Sequence, residues 1–162
     1  MPDQEALKTA KSQAFKHLSY RDRSKKEVAQ YLKKKKHTLS VIQTTLQELE
    51  KLNYINDERF AMEWSRWRVE VKRFGKKRLQ HELSTKGVSS PIIETTLTAL
   101  YDSHPEQDLA LACANKKLAS LHGLEPEKKS RRLAQYLQRR GFSADIIYET
   151  LKESTASTLD QD

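Results

Sequence analysis

Four consecutive lysines, Lys33, Lys34, Lys35 and Lys36, are the densest charge in the sequence, and Arg21, Arg23, Lys25 and Lys26 stand shortly before them. Cations in such numbers suit ion contacts with phosphates or with an acidic protein surface. Part of the run needs no ligand, because lysines at the end of a helix meet the negative end of its dipole. The remainder reads either as an anion-facing patch or as a solvated face. A second basic group, Lys76, Lys77 and Arg78, aligns with Lys25, Lys26 and Glu27 and with Ser130, Arg131 and Arg132, so each unit is expected to begin a helix with positive charge. Such charge opposes the dipole. A cation placed against its local electrostatics points to a partner more strongly than one at the favourable end.

Other chemistries lack their residues. Gly75-Lys-Lys-Arg has neither the two-glycine frame nor the Lys-Ser/Thr ending of a phosphate loop, and four glycines form no dinucleotide fingerprint, so no cofactor is expected. His17, His37, His81, His104 and His122 show no metal-ligand spacing. Cys113, the one cysteine, lies between Ala112 and Ala114 and reads as a buried, inert thiol. No carboxylate cluster fit to hold Mg²⁺ for a nuclease is visible. The chain is therefore read as a non-enzyme. Arg59, Glu63, Arg66, Glu70 and Arg73 alternate in sign down one helical face as a salt-bridge ladder. Trp64 and Trp67 share a stripe with Phe60, Val71 and Phe74, spaced four, three, four and three, which predicts a buried face rather than a base-stacking one.

The elements that must position these residues follow from composition and repetition. Four Gly and four Pro in 162 residues are too few for the turns of a sheet protein and predict an all-α fold. Hydrophobic content of 36% suits small helical modules. No apolar run approaches the roughly 20 residues of a membrane span and no leader pattern opens the chain, so a soluble, unprocessed cytoplasmic protein is expected. Val28-Ala-Gln-Tyr-Leu32 and Val41-Ile-Gln-Thr-Thr-Leu46 return 51 residues later as Leu79-Gln-His-Glu-Leu83 and Ile92-Ile-Glu-Thr-Thr-Leu97, and 54 residues further as Leu133-Ala-Gln-Tyr-Leu137 and Ile146-Ile-Tyr-Glu-Thr-Leu151. Three tandem three-helix repeats follow, over 1–53, 54–104 and 105–153, with a polar tail at 154–162. The first is the most basic, with 12 basic and 6 acidic side chains.

In the second repeat Asn53 is placed for a left-handed cap and Asn56 for the next N-cap, Gly75 ends the first helix, Gly87 ends the second, and Ser89 opens the third with Val88 and Ile93 as a hydrophobic staple. Phe142, Ser143 and Ile147 repeat that corner. In the first repeat Lys36 stands where the others have glycine, so a looser corner is expected there. Two helices joined by a short glycine-containing turn are a helix-turn-helix by geometry, and a freestanding DNA-binding protein is the alternative reading. Against it, Ile92 to Leu100 carries no Arg or Lys to read base edges.

Leu52-Asn-Tyr-Ile-Asn-Asp-Glu-Arg-Phe-Ala61, Gly75-Lys-Lys-Arg-Leu-Gln-His-Glu-Leu83 with Lys86-Gly87-Val88, and Arg139-Arg-Gly-Phe-Ser143 resemble the RecX family of recombinase regulators. The resemblance covers about residues 10–153, with Asn53 and Asn56 where that family more often shows Gly and Asp. It implies tandem three-helix modules in an extended, curved molecule that lies in the groove of the RecA filament on single-stranded DNA. It further implies inhibition of ATP hydrolysis, strand exchange and co-protease activity by a protein without catalysis of its own, expected to be monomeric. The candidate contacts to the filament or its DNA are Arg21, Arg23, Lys25, Lys26, Lys33, Lys34, Lys35, Lys36, Lys76, Lys77, Arg78, Arg131 and Arg132, with Lys86, Arg139 and Arg140 from the motif segments.

Overall fold

The structure, a computed structural model, describes residues 2–159. Among them are nine α-helices and no strand: α1 (Gln4–Leu18), α2 (Lys25–Lys34), α3 (Leu39–Lys51), α4 (Asp57–Glu70), α5 (Lys76–Thr85), α6 (Ser90–Ser103), α7 (Glu106–Leu118), α8 (Pro126–Arg139) and α9 (Ala144–Leu159). Several helices begin where polar caps precede apolar periodicity, whereas α7 and α8 follow Pro105 and Glu125 with no side-chain cap. Ser24 and Glu27 form a reciprocal capping box on α2, the Thr38 side chain accepts from Val41 N–H, and Asn56 Oδ1 accepts from Arg59 N–H at 3.0 Å. Val28, Leu79 and Leu133, the aligned positions of the three second helices, are all buried.

Each second helix ends in the same corner. Lys36, Gly87 and Gly141 have φ of 70°, 82° and 97°. The following amides of His37, Val88 and Phe142 donate back to Leu32, Leu83 and Leu137 at 3.3, 3.1 and 3.2 Å. The looser corner expected at Lys36 is therefore absent, because its hydrogen bonds are those of the glycine corners. Asn53, with φ of 62°, closes α3 as anticipated.

Four further expectations need correction. α4 ends at Glu70, and it is Arg73, with φ of 56°, rather than Gly75 that turns the chain. The stripe on α4 is buried only at its ends: Phe60 and Phe74 are enclosed, Trp64 is half-buried, and Trp67 and Val71 are 50% and 56% exposed. The face turned inward runs through Phe60, Ala61, Ser65 and Val69. Ala61 and Ser65 are fully buried on that face, and Trp67 lies outside it. Finally, α8 starts a turn earlier than expected, at Pro126, which leaves Arg131 and Arg132 inside the helix rather than in its first turn. The segment expected as a polar tail is helical as far as Leu159, with the Thr155 and Ser157 hydroxyls donating to Leu151 and Glu153 carbonyls; residues 160–162 lie outside the described residues.

The chain packs as two compact units, one of residues up to Glu63 with Leu83–Ile93, the other of Trp64–Glu82 with Glu94 onward. In the first, α1, α2 and α3 enclose Leu7, Ala10, Ala14, Val28, Leu32, Val41, Ile42, Leu46, Leu49 and Ile55. In the second, α7, α8 and α9 enclose Ala110, Cys113, Ala114, Leu133, Leu137 and Phe142. The middle repeat contributes residues to both units. Among the described residues no helix is long and apolar enough to cross a membrane.

Candidate polyanion-binding surface

In the first unit four of the nine predicted basic residues, Arg21, Lys25, Lys26 and Lys86, are engaged by hydrogen bonds or ion pairs within the fold. Ser24 is fully buried, and its hydroxyl donates to Lys86 O at 2.7 Å. Glu27 accepts from the Ser24 amide, from both Arg21 Nη atoms at 2.8 and 3.2 Å, and from Lys86 Nζ at 2.8 Å. Burial alone would raise the Glu27 carboxyl, but the hydrogen bonds from Arg21, Lys86 and the Ser24 amide outweigh it and hold the group at about 2. Lys25 pairs with Glu50, and its amide donates to Asp57 Oδ1 at 2.9 Å. Lys26 Nζ donates to Thr85 O at 3.3 Å, and its stem lies over Gly87 so closely that a Cβ on that glycine would sit 2.6 Å from Lys26 Cβ. Arg23 is half-buried, and its Nε has no hydrogen-bond partner.

The second unit repeats this joint one module later. Gly75 N–H donates to Arg140 O at 2.7 Å, Lys77 N–H to Gly141 O at 3.1 Å, and Lys76 N–H to Glu106 Oε2 at 3.2 Å, as Lys25 N–H donates to Asp57. Arg78 lies over Gly141, its Nη1 donating to Arg139 O at 3.3 Å where Lys26 reaches Thr85. The start of one second helix thus rests on the C-terminal corner of the next, and a basic side chain caps that corner's carbonyls. Lys26 and Arg78, read from sequence as pointing outward to a partner, answer the dipole of the neighbouring helix instead. The same contact explains the glycines. A Cβ on Gly141 would collide with Arg78, and one on Gly75 with the Gly141 backbone, whereas Lys36, in the first repeat, is exposed.

Of the predicted contacts, those that are exposed and meet neither an ion pair nor a ring among the described residues are fewer: Lys33, Lys34 and Lys36 in the first unit, and Lys77, Arg131, Arg132 and Arg139 in the second. Lys35 sits 5.5 Å from the Tyr31 ring. The anticipated ladder on α4 is redirected at its first member, since Arg59 pairs with Asp22 at 3.0 Å. On the far part of α4, Arg68 stacks over Trp64 at 3.5 Å and pairs with Glu82, which also accepts from Trp64 Nε1 at 3.1 Å. Cys113 is buried and free, and burial pushes its thiol up, as an inert core cysteine requires. No group of three or more His, Cys, Asp or Glu able to hold a metal occurs among the described residues.

Sequence reasoning missed a cavity of about 320 Å³ in the second unit whose cations are Lys72, Arg73, Lys116 and Arg140. Only Arg140 was among the predicted contacts. These four are scattered over 68 positions, so no run or spacing announces them; the one local signal is an arginine at a left-handed corner where Gly or Asn costs less.

Three successive segments match the RecX family: its first three-helix domain over residues 10–49, its second over 56–97 and its third over 105–151. The regulatory protein RecX of Prosthecochloris aestuarii is 33% identical over 94% of this chain and 97% of its own length. The chain belongs to the RecX family. Regulatory protein RecX of Chlorobium phaeobacteroides is 35% identical over 86% of this chain and 89% of its own. The crystal structure of RecX from Lactobacillus salivarius superposes with a TM-score of 0.82 at 27% identity, covering 92% of this chain and 96% of that one. The all-α fold of three three-helix RecX domains is thus common to this chain and its relatives, whose name marks a family of regulators.

Proposed function

We propose that this RecX-family chain is a non-enzymatic cytoplasmic regulator that acts as a monomer, binds the RecA filament on single-stranded DNA, and inhibits its ATP hydrolysis, strand exchange and co-protease activity. The observation that carries the reading is the set of exposed cations left over once the joints are satisfied. Lys33, Lys34 and Lys36, and separately Lys77, Arg131, Arg132 and Arg139, have no internal carboxylate to meet and suit a polyanionic partner. The freestanding helix-turn-helix alternative is weakened by α6, which holds no Lys or Arg to read a major groove. Repeat joints near residues 53 and 104 go with this reading, since Asn53 and Pro105 stand at helix boundaries there.

Co-sedimentation with recombinase filaments and with bare duplex over a salt series tests it. Recovery with filaments at salt concentrations that release the duplex is the expected result. Equal recovery with duplex and filament at every salt concentration would favour the DNA-binding alternative.

A further inference from the structure

The two joints are built alike but charged differently. In the first, the carboxylate of Glu27 neutralises Lys86 at 2.8 Å. The aligned residue of the second joint is Arg78, so Arg140, which occupies the place of Lys86, meets no acid there. Arg140 lies against the Phe74 and Tyr136 rings, 5.0 and 5.4 Å from their centroids, and donates through Nη2 to Lys72 O, while its buried Nε has no partner. It faces the cavity of about 320 Å³ together with Lys72, Arg73 and Lys116, and no carboxylate lines that space. None of the four makes an ion pair among the described residues. Four cations about one concavity repel one another and focus a positive field into it, which an anion of phosphate size relieves.

A second observation identifies what the anion is attached to. Lys72 lines the cavity and also sits 5.2 Å from the centroid of Trp67, the half-exposed indole that the core leaves out. Arg68 lies 6.0 Å from the same ring. A flat aromatic face in water beside a cationic pocket is the combination used to hold single strands, the pocket taking the backbone and the ring a base. A free base face also separates a single strand from a duplex, whose bases are stacked on each other.

We propose that the cavity bounded by Lys72, Arg73, Lys116 and Arg140 binds a phosphodiester of single-stranded DNA, with an adjacent base stacked on Trp67. The site is a direct DNA contact and requires no recombinase. The test contains none, so its failure leaves the filament reading standing, and failure of filament binding leaves this site standing.

The probe is a fluorescein-labelled oligothymidylate of 12 nucleotides, followed by anisotropy over a salt series with the full chain. Lys72→Gln with Lys116→Gln removes two exposed charges and no ion pair within the fold. It is expected to weaken binding and to flatten the slope of log affinity against log salt by about 1.4, that is about 0.7 for each contact. Trp67→Ala is expected to weaken binding at least fivefold with unchanged helical circular dichroism. In a Trp64→Phe background, where Trp67 is the remaining tryptophan, unlabelled oligothymidylate should quench the emission. Wild-type affinity and slope in the double glutamine variant, or binding with no change in Trp67 emission, would overturn the proposal. So would displacement of the probe by inorganic phosphate at equal phosphate concentration, which assigns the cavity to a free anion. Displacement by polyglutamate without a Trp67 response would overturn it in favour of an acidic protein surface.

Discussion

Glu27 carries more of the first unit than its single charge suggests. Its carboxylate satisfies the Ser24 amide, two guanidinium nitrogens and the Lys86 ammonium at once, from a side chain only 11% exposed. Its folded pKa of about 2 lies below the ordinary 4.5, so the stabilisation is full above the unfolded value and is lost as pH falls from about 4.5 through about 2. The shift corresponds to on the order of 3 kcal/mol. Urea unfolding midpoints measured between pH 7 and pH 2.5 should fall steeply in the native chain, and the fall should be smaller in Glu27→Gln, which starts lower. Trp67 gives a second expectation at this scale. With its ring 50% exposed and outside the buried core, Trp67→Ala should change stability by less than about 0.5 kcal/mol. In Trp64→Phe, acrylamide should quench the remaining indole nearly as well in the folded chain as in urea.

The second helices and their corners form the element that repeats most faithfully. Their apolar residues set the depth of burial, so Leu79→Ala, a large-to-small change at a fully buried position, should cost about 2–5 kcal/mol by chemical denaturation. Their corners separate two uses of a left-handed residue. Gly141 needs both the φ of 97° and the absence of a Cβ under Arg78, so Gly141→Ala should destabilise by about 1–3 kcal/mol. Lys36 has only the conformation to accommodate, and its strain goes with no packing requirement. Lys36→Gly should therefore stabilise by up to about 1 kcal/mol, the left-handed penalty removed less the entropy glycine adds to the unfolded chain. Opposite signs at two corners with the same hydrogen bonds would establish that the joint, rather than the turn, demands glycine.

Across the molecule, the +8 charge divides into cations that hold joints together and cations that are left over. Arg131→Glu with Arg132→Glu, and Gln at Lys33, Lys34 and Lys36, alter the second class and should weaken filament inhibition while leaving helical circular dichroism unchanged. Where the lost contact is to the single strand, the salt slope should flatten by about 0.7 per charge. If both variants inhibit a recombinase filament at wild-type concentrations, these residues form a solvated face. Charge reversal at Arg78 should behave differently and lower stability, because its guanidinium caps Arg139 O and pairs with Glu82.

The order of the helices, the three-fold repetition and the caps at Asn53, Asn56 and Ser143 were legible in the sequence, because capping and helical periodicity are local and act within four or five residues. The same locality gave Val28, Leu79 and Leu133 as equivalent core positions and Cys113 as a buried thiol. It failed at Trp67, since a four-and-three spacing marks a face without saying which of two adjacent faces meets its neighbour. Ala61 and Ser65, and not Trp67, lie on the buried face. It failed again at Lys26 and Arg78, whose partners lie 59 and 61 residues away, and at Lys72, Arg73, Lys116 and Arg140, which share no segment. A helix dipole is felt by whatever side chain packing brings to its end, and a field is focused by whichever charges surround one cavity. Both depend on long-range packing, which sequence periodicity does not encode.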